Sequence, residues 1–185
     1  MNTTIICSFI GPDKTGLVKL LAKSISECGG NWLESSMAQL AGHFAGIVRI
    51  AIATENVETL RTQLAGLEES GLSTQLSVAN AEHSAANAIS TKASGKQLQL
   101  NIVGNDRPGI IHEVAHALTE AHINVVNMQT HLSSAPMSGD SLFHSSMLLD
   151  NNQHSDHDMD IETLERELDA IAERLSVEID LDEVE

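Results

Sequence analysis

The sequence predicts an α+β protein made of two copies of one βαββαβ unit, each a four-stranded antiparallel sheet with two helices on one face. Three observations carry this expectation. A short loop occurs twice, as Gly11-Pro12-Asp13-Lys14-Thr15-Gly16 and, 93 residues later, as Gly104-Asn105-Asp106-Arg107-Pro108-Gly109. Each copy follows an apolar strand-like run and precedes a helix-like run. The apolar spacing beyond the loops also agrees between the copies, better than the identities do. A duplication of this kind sets the architecture before any residue is considered for chemistry.

The elements follow in order. Leu17, Val18, Leu21 and Ile25 align with Ile110, Ile111, Val114 and Leu118, a spacing that predicts one face of a helix. In the first copy that helix ends near Cys28-Gly29-Gly30, where glycine can take the left-handed conformation that closes a helix. A strand over 31–41 comes next, then Gly42 at a tight hairpin, then a β-branched strand over 44–54 with Ile47, Val48, Ile50 and Ile52. The second copy lengthens this hairpin through the turn-rich run 133–140, after which Phe143 aligns with Phe44. A second helix has Val57, Leu60, Leu64 and Leu67 in one copy and Ile161, Leu164, Leu168 and Ile171 in the other. Each copy closes on an alternating strand, Thr74, Leu76 and Val78 against Val177, Ile179 and Leu181. This is the ferredoxin-like, split-βαβ order. The expected division is one domain over 1–80, a linker over 81–96 rich in Ala, Ser, Asn and Thr, and a second domain over 97–185. Each sheet leaves two edge strands and a bare face, so the units are expected to associate through edges or faces, within the chain or as a homo-oligomer.

Composition narrows the function. Ten Lys and Arg stand against 26 Asp and Glu, a formal net charge of -16. Direct nucleic-acid binding is not expected, since that affinity rests on cations neutralising phosphates. Much of the acidity lies in residues 156–185, where a solvated helix face and tail is the simpler interpretation and a surface for a basic partner the sharper one. Cys7 and Cys28 align with Leu100 and Ala121, so both are core-type positions rather than a disulfide framework. The run Met1–Ile6 lacks a basic leader segment and no other stretch is long enough to span a bilayer. The expectation is therefore a cytoplasmic protein without membrane contact.

The duplicated loops are the leading candidates for chemistry. Gly11 and Gly104 end a strand, and Gly16 and Gly109 open a helix whose first amides are unpaired and suited to a carboxylate. Asp13 and Asp106 have two candidate roles: capping the helix, or presenting a carboxylate to a ligand ammonium group. An amino acid carries both complementary charges. The plainer alternative is a capped strand-to-helix turn with no ligand. Asn31 and Asn124 also recur, at the start of the next strand, where the plainer role is turn formation. That strand runs back to the far end of the sheet, so these asparagines need not touch the loop of their own unit.

Two further patterns are weaker. His112-Glu113-Val114-Ala115-His116 spells H-E-x-x-H, the spacing of a zinc hydrolase helix. His112 and His116 align with Lys19 and Lys23, a solvent-facing pattern, and no third ligand is evident. The run 151–160 holds His154, Asp156, His157, Asp158 and Asp160, yet it is an insertion in a polar loop and is expected to be solvated. No catalytic residue, metal or cofactor is expected.

Gly104-Asn105-Asp106-Arg107-Pro108-Gly109-Ile110, followed by Asn124-Val125 at a strand start, resembles the ACT domain. The run 26–44, from Ser26-Glu27-Cys28-Gly29-Gly30-Asn31-Trp32 to Phe44, resembles the glycine cleavage system transcriptional repressor family, which has two ACT units and no catalytic or DNA-binding domain. That resemblance implies a regulator that senses a small amino acid, glycine first, and acts through a DNA-bound activator protein. The alternative is an amino-acid-binding module that regulates a metabolic enzyme. The candidate ligand-binding residues are Gly11, Asp13, Gly16 and Asn31 and, in the second copy, Gly104, Asp106, Gly109 and Asn124. The first loop departs from the usual pattern at Pro12 and Thr15, so unequal binding by the two loops is expected.

Overall fold

Alternating burial along the strands and a single buried stripe on each helix account for the architecture. The structure is a computed structural model, and it describes residues 1–78, 97–136, 139–151 and 161–184. The chain divides into two units, Met1–Ala88 and Ile89–Glu185. The expected linker over 81–96 lies outside the described residues. In the first unit the elements are β1 (Asn2–Pro12), α1 (Leu17–Glu27), β2 (Asn31–Leu40), β3 (His43–Ala53), α2 (Val57–Ala65) and β4 (Ser73–Val78). In the second they are β5 (Gln97–Asn105), α3 (Ile110–Glu120), β6 (Ile123–Ser134), β7 (Ser141–Asn151), α4 (Ile161–Leu175) and β8 (Val177–Val184). The sheets have orders β2-β3-β1-β4 and β6-β7-β5-β8, with every neighbouring pair antiparallel.

Ile5, Cys7 and Phe9 of β1 and Val48, Ile50 and Ile52 of β3 form one buried face. Leu17, Leu21 and Ile25 of α1 and Leu60 and Leu64 of α2 pack onto it. The second unit repeats this with Leu98, Leu100, Ile102, Met147 and Leu149 beneath Ile110, Val114, Leu118, Leu164 and Leu168. Two elements differ from the sequence expectation. Val18 is exposed and Ser24 is buried, because the stripe that meets the sheet runs through Leu17, Leu21, Ser24 and Ile25, one helical step away from Val18. Leu67 lies outside α2, in a 3-10 turn over Gly66–Ser70 that ends at Gly71 with φ +85°.

Both hairpins carry a register shift on the edge strand, between Trp32 and Glu34 and between Val125 and Asn127. The β2–β3 turn places Ala41 and Gly42 at positive φ, the geometry of a two-residue hairpin. The two cysteines are buried and free. Cys7 is fully enclosed, and burial pushes its thiol from 9.0 up to about 11. Burial, and then the neighbouring Glu27 carboxylate, also raises the Cys28 thiol, which donates to Gln63 Oε1 at 2.6 Å.

The first glycine of each duplicated loop is fixed by packing. A Cβ on Gly11 would lie 2.6 Å from the Gly71 carbonyl oxygen, and one on Gly104 would run into the Val177 side chain and 3.0 Å from its Cα. Gly11→Ala and Gly104→Ala are each expected to lower unfolding stability by about 1–3 kcal/mol, measured by urea denaturation without ligand. Unchanged midpoints would show that these glycines are not needed for packing. The Cys7 thiol adds a pH dependence. The unfolded thiol releases its proton from about pH 9 and the folded one only from about 11, so the unfolded chain loses protons first. This part of the stability is intact below pH 9 and declines by up to about 3 kcal/mol as pH rises through 11. Cys7→Val is expected to flatten that alkaline decline in equilibrium unfolding curves.

Candidate functional site

The two loops share a backbone frame. The amide of Asp13 donates to the Gly42 carbonyl and that of Asp106 to the Ser141 carbonyl, both at 2.8 Å, so each loop is fastened to the hairpin turn of its own sheet. Gly16 and Gly109 are the residues that open α1 and α3, with φ +99° and +104°. A side chain there would be strained, although nothing lies within 4 Å of the position its Cβ would take. The helix N-termini therefore begin at a glycine in open space. Neither helix has a side-chain cap, which removes the capping role considered for Asp13 and Asp106. A left-handed glycine occupies the capping position, and each aspartate stands three residues earlier, where it is tied by its backbone to the hairpin instead.

The side chains of the two aspartates differ. Gln39 of β2 donates through Nε2 to Asp13 Oδ2 at 2.7 Å. The aligned residue in the second unit is Leu132, which has nothing to donate. Among the described residues no hydrogen bond or ion pair engages the Asp106 carboxylate. Asp106 is exposed at the mouth of the loop, with the α3 N-terminus following it. Arg107 instead reaches the end of α4, donating through Nη2 to the Arg174 carbonyl at 3.1 Å. The Arg174 guanidinium in turn pairs with Glu113 in α3. The second loop is thus tied to both helices of its unit, and its own carboxylate is left over. The aligned residue in the first loop, Lys14, makes no equivalent bond among the described residues.

Asn31 and Asn124 lie elsewhere. Asn31 pairs across β3 with the level of Thr4, and Asn124 across β7 with the level of Gln97. Each is seven residues along the central strand from the loop glycine, about 23 Å at ~3.3 Å per residue. Both are exposed at the start of an edge strand. The eight candidate residues therefore fall into two groups at opposite ends of each sheet, with Gly11, Asp13 and Gly16 or Gly104, Asp106 and Gly109 at one end and the asparagine at the other. Gln39 and Arg174 could not be singled out from sequence, because their partners come from across the fold.

Glu113 of the H-E-x-x-H run is held by Arg174, which takes up the carboxylate that hydrolysis would require as a base. His112 and His116 are exposed, and among the described residues no group of three or more His, Cys, Asp or Glu side chains converges as a metal site. The His and Asp run over 152–160 lies outside the described residues. Among the described residues no helix is long and apolar enough to cross a membrane.

Comparison with known proteins places this geometry. The family signature described as the ACT domain matches residues 3–77 and again residues 98–144. No curated protein matches the chain. An unknown protein from Galdieria sulphuraria shares the fold over 100% of both chains, with 23% identity and a TM-score of 0.76. A protein provisionally named a glycine cleavage system transcriptional repressor shares it over 100% of this chain and 99% of the other, with 16% identity and a TM-score of 0.69. With two four-stranded sheets, helices on one face of each and an ACT signature in either half, the chain belongs to the tandem ACT-domain family.

Proposed function

We propose that this protein is a non-enzymatic transcriptional regulator that senses a small amino acid, glycine first, at the Gly104–Gly109 loop and represses through a DNA-bound activator protein. The observation that carries the ligand part is the uncommitted Asp106 carboxylate beside the α3 N-terminus. The helix amides suit the ligand carboxylate, and Asp106 suits its ammonium group. Gly109 leaves the approach open. Asn124 is too far from its own loop to share that ligand. Support for action through a protein comes from the net charge of -16, which opposes contact with phosphates. The fold shared with the provisionally named repressor supports the regulatory reading.

Calorimetry with glycine and other small amino acids tests the site. Asp106→Ala is expected to weaken binding by about tenfold or more, the loss of one charge-assisted hydrogen bond. Asp13→Ala is expected to change it little, because Asp13 already holds Gln39. Equal losses at the two positions would overturn the asymmetry. Affinity purification from cells with and without glycine tests the partner. Recovery of a DNA-bound activator supports the proposal, whereas recovery of a metabolic enzyme alone would favour the enzyme-regulating alternative.

A further inference from the structure

The two sheets differ in the chemistry of the face their helices leave bare. In the second unit that face carries Glu178, Asp180 and Asp182 along β8 and Asp150 on β7. Two copies meeting there would repel. In the first unit it is a grid of small and apolar residues. Ile6, Arg49 and Glu34 lie abreast on β1, β3 and β2, followed by Ser8, Ile47 and Ser36, then Ile10, Ala45 and Ala38. Ile10 and Ile47 are 52% and 53% exposed. The only charges in the grid are Arg49 and Glu34, paired at 2.5 Å, so the patch is neutral in a chain of net charge -16. Among the described residues the Arg49 Nε has no hydrogen-bond partner. Beside Ile47, a shallow depression is lined by Ser36, Ala38, Ala45 and Gly46.

We propose that this face binds the same face of a second copy of the chain. A two-fold axis parallel to the strands, between β2 and β3, lays β3 over the partner's β2 at the same level. Arg49 then faces the partner's Glu34, and Glu34 the partner's Arg49. Ile47 faces the partner's Ser36 and enters the depression beside it, and Ala45 faces the partner's Ala38. Every contact is made twice, as an isologous interface requires. The small residues let the sheets reach the usual separation of about 10 Å. Each guanidinium, with five donors, lies between two carboxylates instead of one. A net-negative partner of another kind would find no excess of positive charge on this face.

Sedimentation equilibrium on the full chain, without ligand, tests the proposal. The wild type is expected to form dimers that dissociate on dilution. Ile47→Asp is expected to be monomeric, with a circular dichroism spectrum and melting temperature near wild type because the residue is exposed. R49E and E34R are each expected to be monomeric alone, since each sets like charges across the axis. Mixed in equal amounts they are expected to form a one-to-one heterodimer, visible by native mass spectrometry. A monomeric wild type, an Ile47→Asp dimer as stable as wild type, or single charge variants that self-associate as well as their mixture would each overturn it. Should either charge variant fail to fold, Ala45→Glu replaces it, with a monomer expected and an undiminished dimer contrary. Dimers formed through the β6 edge would survive all of these substitutions, so that outcome counts against this face and leaves the ligand proposal standing.

Discussion

Two helices cover only one face of a four-stranded sheet, and most of this protein follows from that limit. It forces strict alternation along β1, β3, β5 and β7, with Ile5, Cys7 and Phe9 turned to the helices and Ile6, Ser8 and Ile10 away from them. It also sets the crossing where the last strand enters beside the first. There Gly11 meets the backbone of Gly71, and Gly104 meets Val177. A larger residue would push the strands apart, so the glycine that looks like part of a binding loop is needed first by the sheet. The same limit leaves each unit with a bare face and open edges, the surfaces on which a regulatory protein can be joined to something else.

Duplication supplies two versions of one device, and their differences are informative. Gln39 occupies the first aspartate, while Leu132 leaves the second alone. Arg107 braces the second loop against the end of α4, and Arg174 links that end to α3. Both loops are fastened by their backbones to their own hairpins; in the first the carboxylate holds Gln39, and in the second it is left unengaged among the described residues. The bare faces diverge too, neutral and apolar in the first unit and acidic in the second. Such divergence is open to a duplicated domain because either copy can change a feature that the other retains.

The sequence alone determined the number of units, the order of their strands and helices, and most of the core. Repetition and periodicity are local properties: Leu17, Leu21 and Ile25 recur at helical spacing, and Thr74, Leu76 and Val78 alternate, whatever else the chain does. The exceptions lie where a neighbour decides. Val18 fits the periodic pattern equally well but falls outside the stripe that the sheet buries. The capping role for Asp13 and Asp106 failed because a left-handed glycine took the position. Only tertiary structure could give Gln39 to Asp13 and Arg174 to Glu113, and set Ile47 at a shallow depression with Ser36, Ala38 and Ala45. Those relations join residues far apart in the chain, and sequence spacing carries no record of which distant side chains the fold will bring together.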